Sequence, residues 1–383
     1  MTRVIDADTH FMEPAGVYED YIAPAQRDLA LRVERDDRGW PFLSHQGRPL
    51  MRLDVQTPGR VDLIGEQSRR YAAGENWYEV PAPIPDLWDP KARIENLQRN
   101  GVDSSIVFPN MGLAWQHQLA NDLPALCANM SAYNRWLRER LPECGEALYP
   151  VALVDLQDLD WLQQELELCA AAGLKLAMVA PQPVGGRALA HPDFDRVWAA
   201  FQDLDMGICF HVSNFQLPLD PAWYALDPEP ANKLMDTAFL YLAPAVALAS
   251  LIIHGKLEQF PGLRFGVVEL SAGWVPGFLM HLDGAWEFYR SQRGRPLSEL
   301  SMRPSEYFKR QVRVNAFALE GAANLMDMVG SEVFMWGSDY PHSEGMSKPS
   351  WSSYLKVQPR KLSSAEQAAL SGDNAAYLLG LTR

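Results

Sequence analysis

Eight histidines occur in the chain, and four of them sit where chemistry is easiest to imagine. His10 follows Asp8 by two residues in Val-Ile-Asp-Ala-Asp-Thr-His. His211 lies in Phe-His-Val-Ser-Asn, and His254 lies between Ile253 and Gly255. His342 follows Asp339 by three residues in Gly-Ser-Asp-Tyr-Pro-His. Imidazole and carboxylate together are the ligand set of zinc, manganese or iron. Alternate residues of an extended segment face the same side, so Asp8 and His10 can chelate one ion from one strand. Each piece alone has a bland explanation. A histidine in an apolar strand is commonly a hydrogen-bonded structural residue, and Gly-Ser-Asp-Tyr-Pro is also good turn chemistry. Several such groups at different strand ends are harder to explain that way, because buried polar groups cost free energy unless paired.

The elements that must position these residues recur along the chain. Short apolar runs occur at Val4–Asp8, Ser104–Phe108, Tyr149–Asp155, Leu174–Ala180, Gly207–Val212, Leu251–His254, Arg264–Leu270 and Val333–Asp339, with Val312–Ala316 a ninth candidate. Amphipathic segments such as Lys91–Asn100, Trp161–Ala172, Pro192–Asp205 and Ala231–Ala249 lie between them. Continuous apolar runs flanked by helices predict parallel strands buried on both faces. The alternation predicts an α/β fold, a distorted (β/α)8 TIM-type barrel spanning 1–383 as one domain. A dinucleotide-binding sheet would show GxGxxG after its first strand; Asp-Ala-Asp-Thr-His stands there instead.

Barrel active sites lie at the C-terminal strand ends. Those ends carry Asp6, Asp8 and His10; His211; His254; Glu269; and Asp339 with His342. Asp6 either supports a ligand or ties down the first strand, and Glu269 either orients a ligand or ion-pairs within the barrel. His45, His117, His191 and His281 lack this context. Residues 11–88 break the alternation with many Pro, Gly and aromatic residues, and are expected to form a lid insertion over the barrel mouth. Ser213–Pro230 is a second long connection, expected at the same mouth.

Composition excludes other classes. The net charge of −14 across 383 residues, with no basic run, argues against nucleic acid as a partner. Four cysteines (Cys127, Cys144, Cys169 and Cys209) lie far apart without CxxC spacing, which points away from disulfides and towards a reducing compartment. The N-terminus does not read as a signal peptide, and the apolar stretch Tyr241–Ile253 is short for a membrane span. A cytoplasmic protein with a small-molecule substrate is expected.

Ile5-Asp6-Ala7-Asp8-Thr9-His10 resembles the first-strand motif of the amidohydrolase superfamily, in the decarboxylase-like branch typified by aminocarboxymuconate semialdehyde decarboxylase. Glu258-Gln259-Phe260-Pro261-Gly262-Leu263, Trp336-Gly337-Ser338-Asp339-Tyr340-Pro341 and Asn374-Ala375-Ala376-Tyr377-Leu378-Leu379-Gly380 are similar to later pieces of it, in order to the end of the chain. The resemblance implies Asp8 and His10 as first-strand metal ligands, His211 as the fifth-strand ligand and Asp339 as the eighth-strand ligand. It implies His254 as the sixth-strand histidine that activates metal-bound water, since a divalent metal lowers the pKa of its water and a neutral His can take the proton.

The family motif is often His-x-His, whereas here Asp8 comes first. An oxygen-richer site suits manganese or iron better than zinc. Glu13, three residues after His10, and His342 would complete a second metal position in one reading. In the other, Glu13 is a turn carboxylate before Pro14. The resemblance therefore implies a metal-dependent hydrolase or nonoxidative decarboxylase acting on a small carboxylated or cyclic molecule. The alternative, similar to a small oxidative branch, is a dinuclear iron or iron/manganese monooxygenase in which Asp8, His10, Glu13, His211, His254, Asp339 and His342 share two ions. A non-catalytic barrel would bind no metal. Aromatics of the lid and of Phe215–Trp223 are expected to wall the pocket. The resemblance also implies a homodimer, with Trp274–Tyr289 serving either an interface or the core.

Overall fold

Runs rich in Val, Ile and Phe form the inner wall of the molecule. The computed structural model describes residues 3–37, 41–52, 85–213, 215–224, 231–293, 300–342, 346 and 350–381. Its strands are β1 (Ile5–His10), β2 (Leu31–Arg35), β3 (Pro41–His45), β4 (Arg48–Arg52), β5 (Ser104–Phe108), β6 (Leu148–Leu153), β7 (Leu176–Met178), β8 (Gly207–His211), β9 (Phe265–Val268), β10 (Val312–Ala316) and β11 (Phe334–Trp336). Eight of them form one sheet in the order β1-β5-β6-β7-β8-β9-β10-β11, with parallel neighbours throughout. Backbone bonds draw the two ends together: Asp339 N–H donates to Asp8 O at 2.8 Å, and His10 N–H donates to Tyr340 O at 2.8 Å. The result is a nearly closed (β/α)8 barrel with helices around it. Every residue of β1, β5, β8 and β10 is buried, as a sheet covered on one face by helices and on the other by its own barrel core requires.

Local chemistry sets the helix ends. Asp89 caps Pro90–Arg99 by accepting from Ala92 N–H, and Pro90 occupies the first turn. Asp158 caps Leu159–Ala172, and Gly173 at φ 103° ends it in the left-handed region. The longest helix among the described residues, Leu123–Cys144, is capped by Asp122 and buries Leu126, Met130, Tyr133 and Leu137.

One expected strand is not a strand. Leu251–His254 is the end of helix Leu242–Ile253, and Val312–Ala316 is the seventh barrel strand instead. A four-residue apolar run does not by itself distinguish a buried strand from a buried helix turn. Here the preceding Ala- and Leu-rich residues favour continuing the helix, until Gly255 at φ 73° ends it. The segment Met235–Ile253 is long and apolar enough to cross a membrane by length and composition, with mean hydropathy 1.8. In this fold it lies along the barrel, with Ala243, Leu248, Leu251 and Ile252 buried.

Part of the 11–88 region lies outside the described residues, namely 38–40 and 53–84. Its described portion contains helix Val17–Tyr21 and a three-stranded antiparallel sheet, β2-β3-β4. This portion is stitched to the outer helix Leu123–Cys144. Asn129 accepts from Leu31 N–H and donates to Leu29 O, both at 2.8 Å, and Arg135 donates to Tyr21 O.

Candidate metal centre

Six strand-end residues converge. β1 brings Asp8 and His10, β8 brings His211, and Glu269 follows β9 directly. Asp339 and His342 follow β11. Ligand-type atoms of Asp8, His10, His211 and Glu269 all lie within 4.8 Å of one another, as do those of His10, Glu269, Asp339 and His342. His10 Nε2 is 3.4 Å from Asp8 Oδ1, 3.6 Å from Glu269 Oε2 and 3.3 Å from Asp339 Oδ1. His211 Nε2 is 3.5 Å from Asp8 Oδ1 and 3.3 Å from Glu269 Oε2.

The two histidines are oriented by their other nitrogens. His10 Nδ1 donates to Pro109 O at 2.9 Å, and His211 Nδ1 donates to Val212 O at 2.8 Å. A proton on Nδ1 leaves the Nε2 lone pair free and aimed at the centre, the tautomer a metal needs. Asp8 Oδ1 and Oδ2, His10 Nε2, His211 Nε2, Glu269 Oε2 and Asp339 Oδ2 are buried without hydrogen-bond partners. Orphaned buried polar atoms are costly and rare in folded proteins. Four of them, Asp8 Oδ1, His10 Nε2, His211 Nε2 and Glu269 Oε2, face one another across 3.3–3.6 Å and form a donor set that fits a divalent cation.

Charge follows this crowding. Burial alone would lower the His10 pKa, but the Asp339, Asp8 and Glu269 carboxylates around it hold it well above the usual value. Burial and then the nearby Asp339 charge push Glu269 well above the ordinary glutamate range. Burial opposes the charge on Asp8, yet contacts with His10 and His211 drive its pKa below the usual carboxylate value.

Supporting residues hold this cluster. Asp6 is fully buried, and burial pushes its carboxyl up to about 7. Its Oδ1 accepts from Asp8 N–H and Ser338 N–H, so it ties β1 to the seam. Arg93, fully buried in helix Pro90–Arg99, donates to His10 O at 2.7 Å and lies 5.0 Å over the Tyr340 ring. Gly337 permits close approach: a Cβ there would collide with Asn315 Nδ2 and meet Asp8 Cβ at 2.7 Å.

Two expected site residues lie elsewhere. His254 caps a helix end, is exposed, and bonds through Nδ1 to Ser250 O. Glu269 occupies the sixth-strand end instead. Glu13 is a structural carboxylate: it accepts from the backbone N–H groups of Asn110, Met111 and Gly112 at 2.9–3.2 Å. Its lone pairs are spent on the loop after β5, in keeping with the turn-carboxylate reading. His342 joins the cluster, but both its ring nitrogens are engaged: Nδ1 with Asp339 Oδ1 at 2.7 Å and Nε2 with Asn110 Oδ1 at 2.8 Å. Asn110 and Arg93 were missed. Asn110 stands just past a strand end, which was a signal; Arg93, inside an amphipathic helix, gave none. His281 and His117 are exposed, and His191 accepts from Asp193 N–H in a surface turn.

A cavity of about 850 Å³ opens beside the cluster, lined by Glu269, Val212, Leu240, Tyr241, Trp274 and Phe317 among others. Tyr241 and Trp274 stack at 6.2 Å. The expected aromatic wall from Phe215–Trp223 is not among the described lining. Leu217 of that segment lines a separate cavity beside Val246, and Trp223 is 69% exposed.

The family model described as amidohydrolase matches residues 5–381. No curated protein sequence matches the chain. Among solved structures, an amidohydrolase from Mycobacterium avium subsp. paratuberculosis is 22% identical over 99% of both chains, with a TM-score of 0.80. A 5-carboxyvanillate decarboxylase from Novosphingobium aromaticivorans with bound manganese is 18% identical over 99% of this chain and 97% of its own, with a TM-score of 0.65. A dihydroxybenzoic acid decarboxylase from a Polaromonas species, with bound manganese and 2-nitroresorcinol, is 13% identical over 100% of this chain and 98% of its own, with a TM-score of 0.59. With its barrel, its strand-end cluster of His, Asp and Glu and a family match over nearly its whole length, this chain belongs to the amidohydrolase family and is an enzyme.

Proposed function

We propose that the protein is a single-metal, divalent-cation-dependent nonoxidative decarboxylase or hydrolase of a small carboxylated or cyclic molecule. The observation that carries this reading is the set of six unpartnered ligand atoms beside the cavity of about 850 Å³. Asp8, His10, His211 and Asp339 would hold the metal, with Glu269 between it and the cavity. When bound, a divalent ion there supplies a Lewis acid and acidifies a coordinated water. Manganese suits this oxygen-rich donor set, and the decarboxylases from Novosphingobium and Polaromonas carry it. Their reaction is the reason to place decarboxylation ahead of hydrolysis.

The chain's own residues supply the rest. Glu269 lines the cavity with one carboxylate oxygen turned into the cluster. It therefore takes the proton-transfer role that the resemblance had given to His254. Trp274 is fixed by its Nε1 donating to Ser271 O at 2.9 Å, and with Tyr241 and Phe317 it offers a planar substrate an apolar surface that excludes water. The two-metal oxygenase reading needed Glu13 and His254 as ligands, and neither reaches the cluster. Four buried, unpaired cysteines agree with a cytoplasmic setting. A homodimer is retained as the expected assembly.

The test is metal analysis of native protein, followed by assay of the manganese-loaded enzyme against aromatic and cyclic carboxylic acids for CO₂ release and against lactones and amides for hydrolysis. About one divalent ion per chain with oxygen-independent turnover is expected. Absence of bound metal, or consumption of dioxygen, overturns the reading.

A further inference from the structure

Outside the ligands themselves, three buried residues form a continuous hydrogen-bonded line that ends on Asp339. It starts at Glu13, whose two carboxylate oxygens accept the N–H groups of Asn110, Met111 and Gly112 and so fix the loop after β5. Asn110, 7% exposed, then presents Oδ1 to His342 Nε2 at 2.8 Å, while its Nδ2 donates to Met12 Sδ at 3.0 Å. His342, 8% exposed, donates from Nδ1 to Asp339 Oδ1 at 2.7 Å, and its ring lies 4.1 Å from that of His10. The line thus joins the end of the second barrel strand to the end of the eighth across the first.

We infer that His342 and Asn110 are a positioning pair that orients Asp339 for the metal, rather than ligands of a second ion. Asp339 sits at φ 54°, an uncommon backbone state for a residue with a side chain. The His342 bond holds Oδ1, the oxygen that stands 3.3 Å from His10 Nε2, while Oδ2 is buried without a partner. His342 is itself held on both sides, by Asn110 and by the His10 ring. Neither ring nitrogen is left free to ligate. Partners of this kind around a metal ligand commonly set metal affinity by about 10- to 100-fold. Glu13 acts further out, by keeping Asn110 in place.

This inference rests on the metal reading of the cluster, and the experiment separates the two. Manganese affinity is measured by competition with a fluorescent chelator for wild type, His342→Ala, His342→Asn and Asn110→Ala, with the thermal midpoint of each metal-free protein recorded in parallel. His342→Ala and Asn110→Ala are expected to bind manganese about 10- to 100-fold more weakly. His342→Asn keeps a donor near the Nδ1 position and is expected to recover most of the loss, while all four metal-free proteins melt within a few degrees of one another. If wild type binds manganese and both alanine variants bind within about twofold of it, the positioning role is overturned and the metal site stands. The role is equally overturned if His342→Asn binds no better than His342→Ala, or if the affinity loss is matched by a collapse in the metal-free melting temperature. If wild type binds no divalent metal, the proposed function falls and this inference with it.

Discussion

Asp6 Oδ1 accepts the backbone N–H of Ser338 at 2.9 Å and that of Asp8 at 3.1 Å, so one buried carboxylate holds both sides of the barrel seam next to Asp8 and Asp339. Asp6→Ala leaves two buried N–H groups unsatisfied and is expected to destabilise the metal-free protein by about 2–4 kcal/mol, since each such group costs about 1–2 kcal/mol. Asp6→Asn keeps an acceptor oxygen and should lose less than half of that. Urea unfolding of the metal-free variants checks the order; equal losses would show that the seam does not depend on this acceptor.

Metal should stabilise the folded state strongly, because the cluster holds six unpartnered ligand atoms until a cation meets them. Free manganese at about 1,000 times its dissociation constant adds about 4 kcal/mol by mass action. Chelation is expected to lower the melting temperature and abolish activity, and added manganese to restore both. Asp8→Asn and His211→Ala should melt at the same temperature with and without manganese. A wild-type melting curve indifferent to chelator would remove the metal from the account.

Gly337→Ala tests close packing behind the first ligand. The new methyl would collide with the Asn315 side chain and with Asp8 Cβ at 2.7 Å. Overpacking of this kind costs about 1–3 kcal/mol, and relief of the clash would displace Asp8. Both a lower unfolding midpoint and weaker manganese binding are expected. A variant that keeps wild-type affinity would show that the seam yields without moving Asp8.

The sixth-strand role separates two residues. His254 is exposed and makes one local bond to Ser250 O, so His254→Ala should change stability by no more than about 0.5 kcal/mol and leave turnover unchanged. Glu269→Gln keeps shape but cannot exchange the proton, and kcat should fall about 100- to 10,000-fold with folding intact. The opposite pattern of losses would return the proton-transfer role to His254.

Much of the barrel was legible because parallel strands buried on both faces must be continuously apolar. β5 was read at its full length, and β1, β8 and β11 to within a few residues. The error at Leu251–His254 came from a run too short to carry a period, and it misplaced a histidine with it. Glu13 was open between two readings for a different reason. A carboxylate three residues after a ligand has the spacing of another ligand, and only the position of the Asn110–Gly112 backbone shows where its lone pairs go.

The sequence by itself determined the fold class, the strand ends that carry Asp8, His10, His211 and Asp339, and the family to which those motifs belong. These follow from patterns confined to a few neighbouring residues: apolar runs, alternation along a strand, and short motifs in a fixed order. Only the tertiary structure decided that Glu269 and not His254 stands at the sixth-strand end, that Glu13 accepts backbone N–H groups, and that His342 is held between Asp339 and Asn110. Each of those depends on groups far apart in the chain meeting at one point. A side chain's chemistry is set by the partners that reach its lone pairs, and no local spacing encodes them.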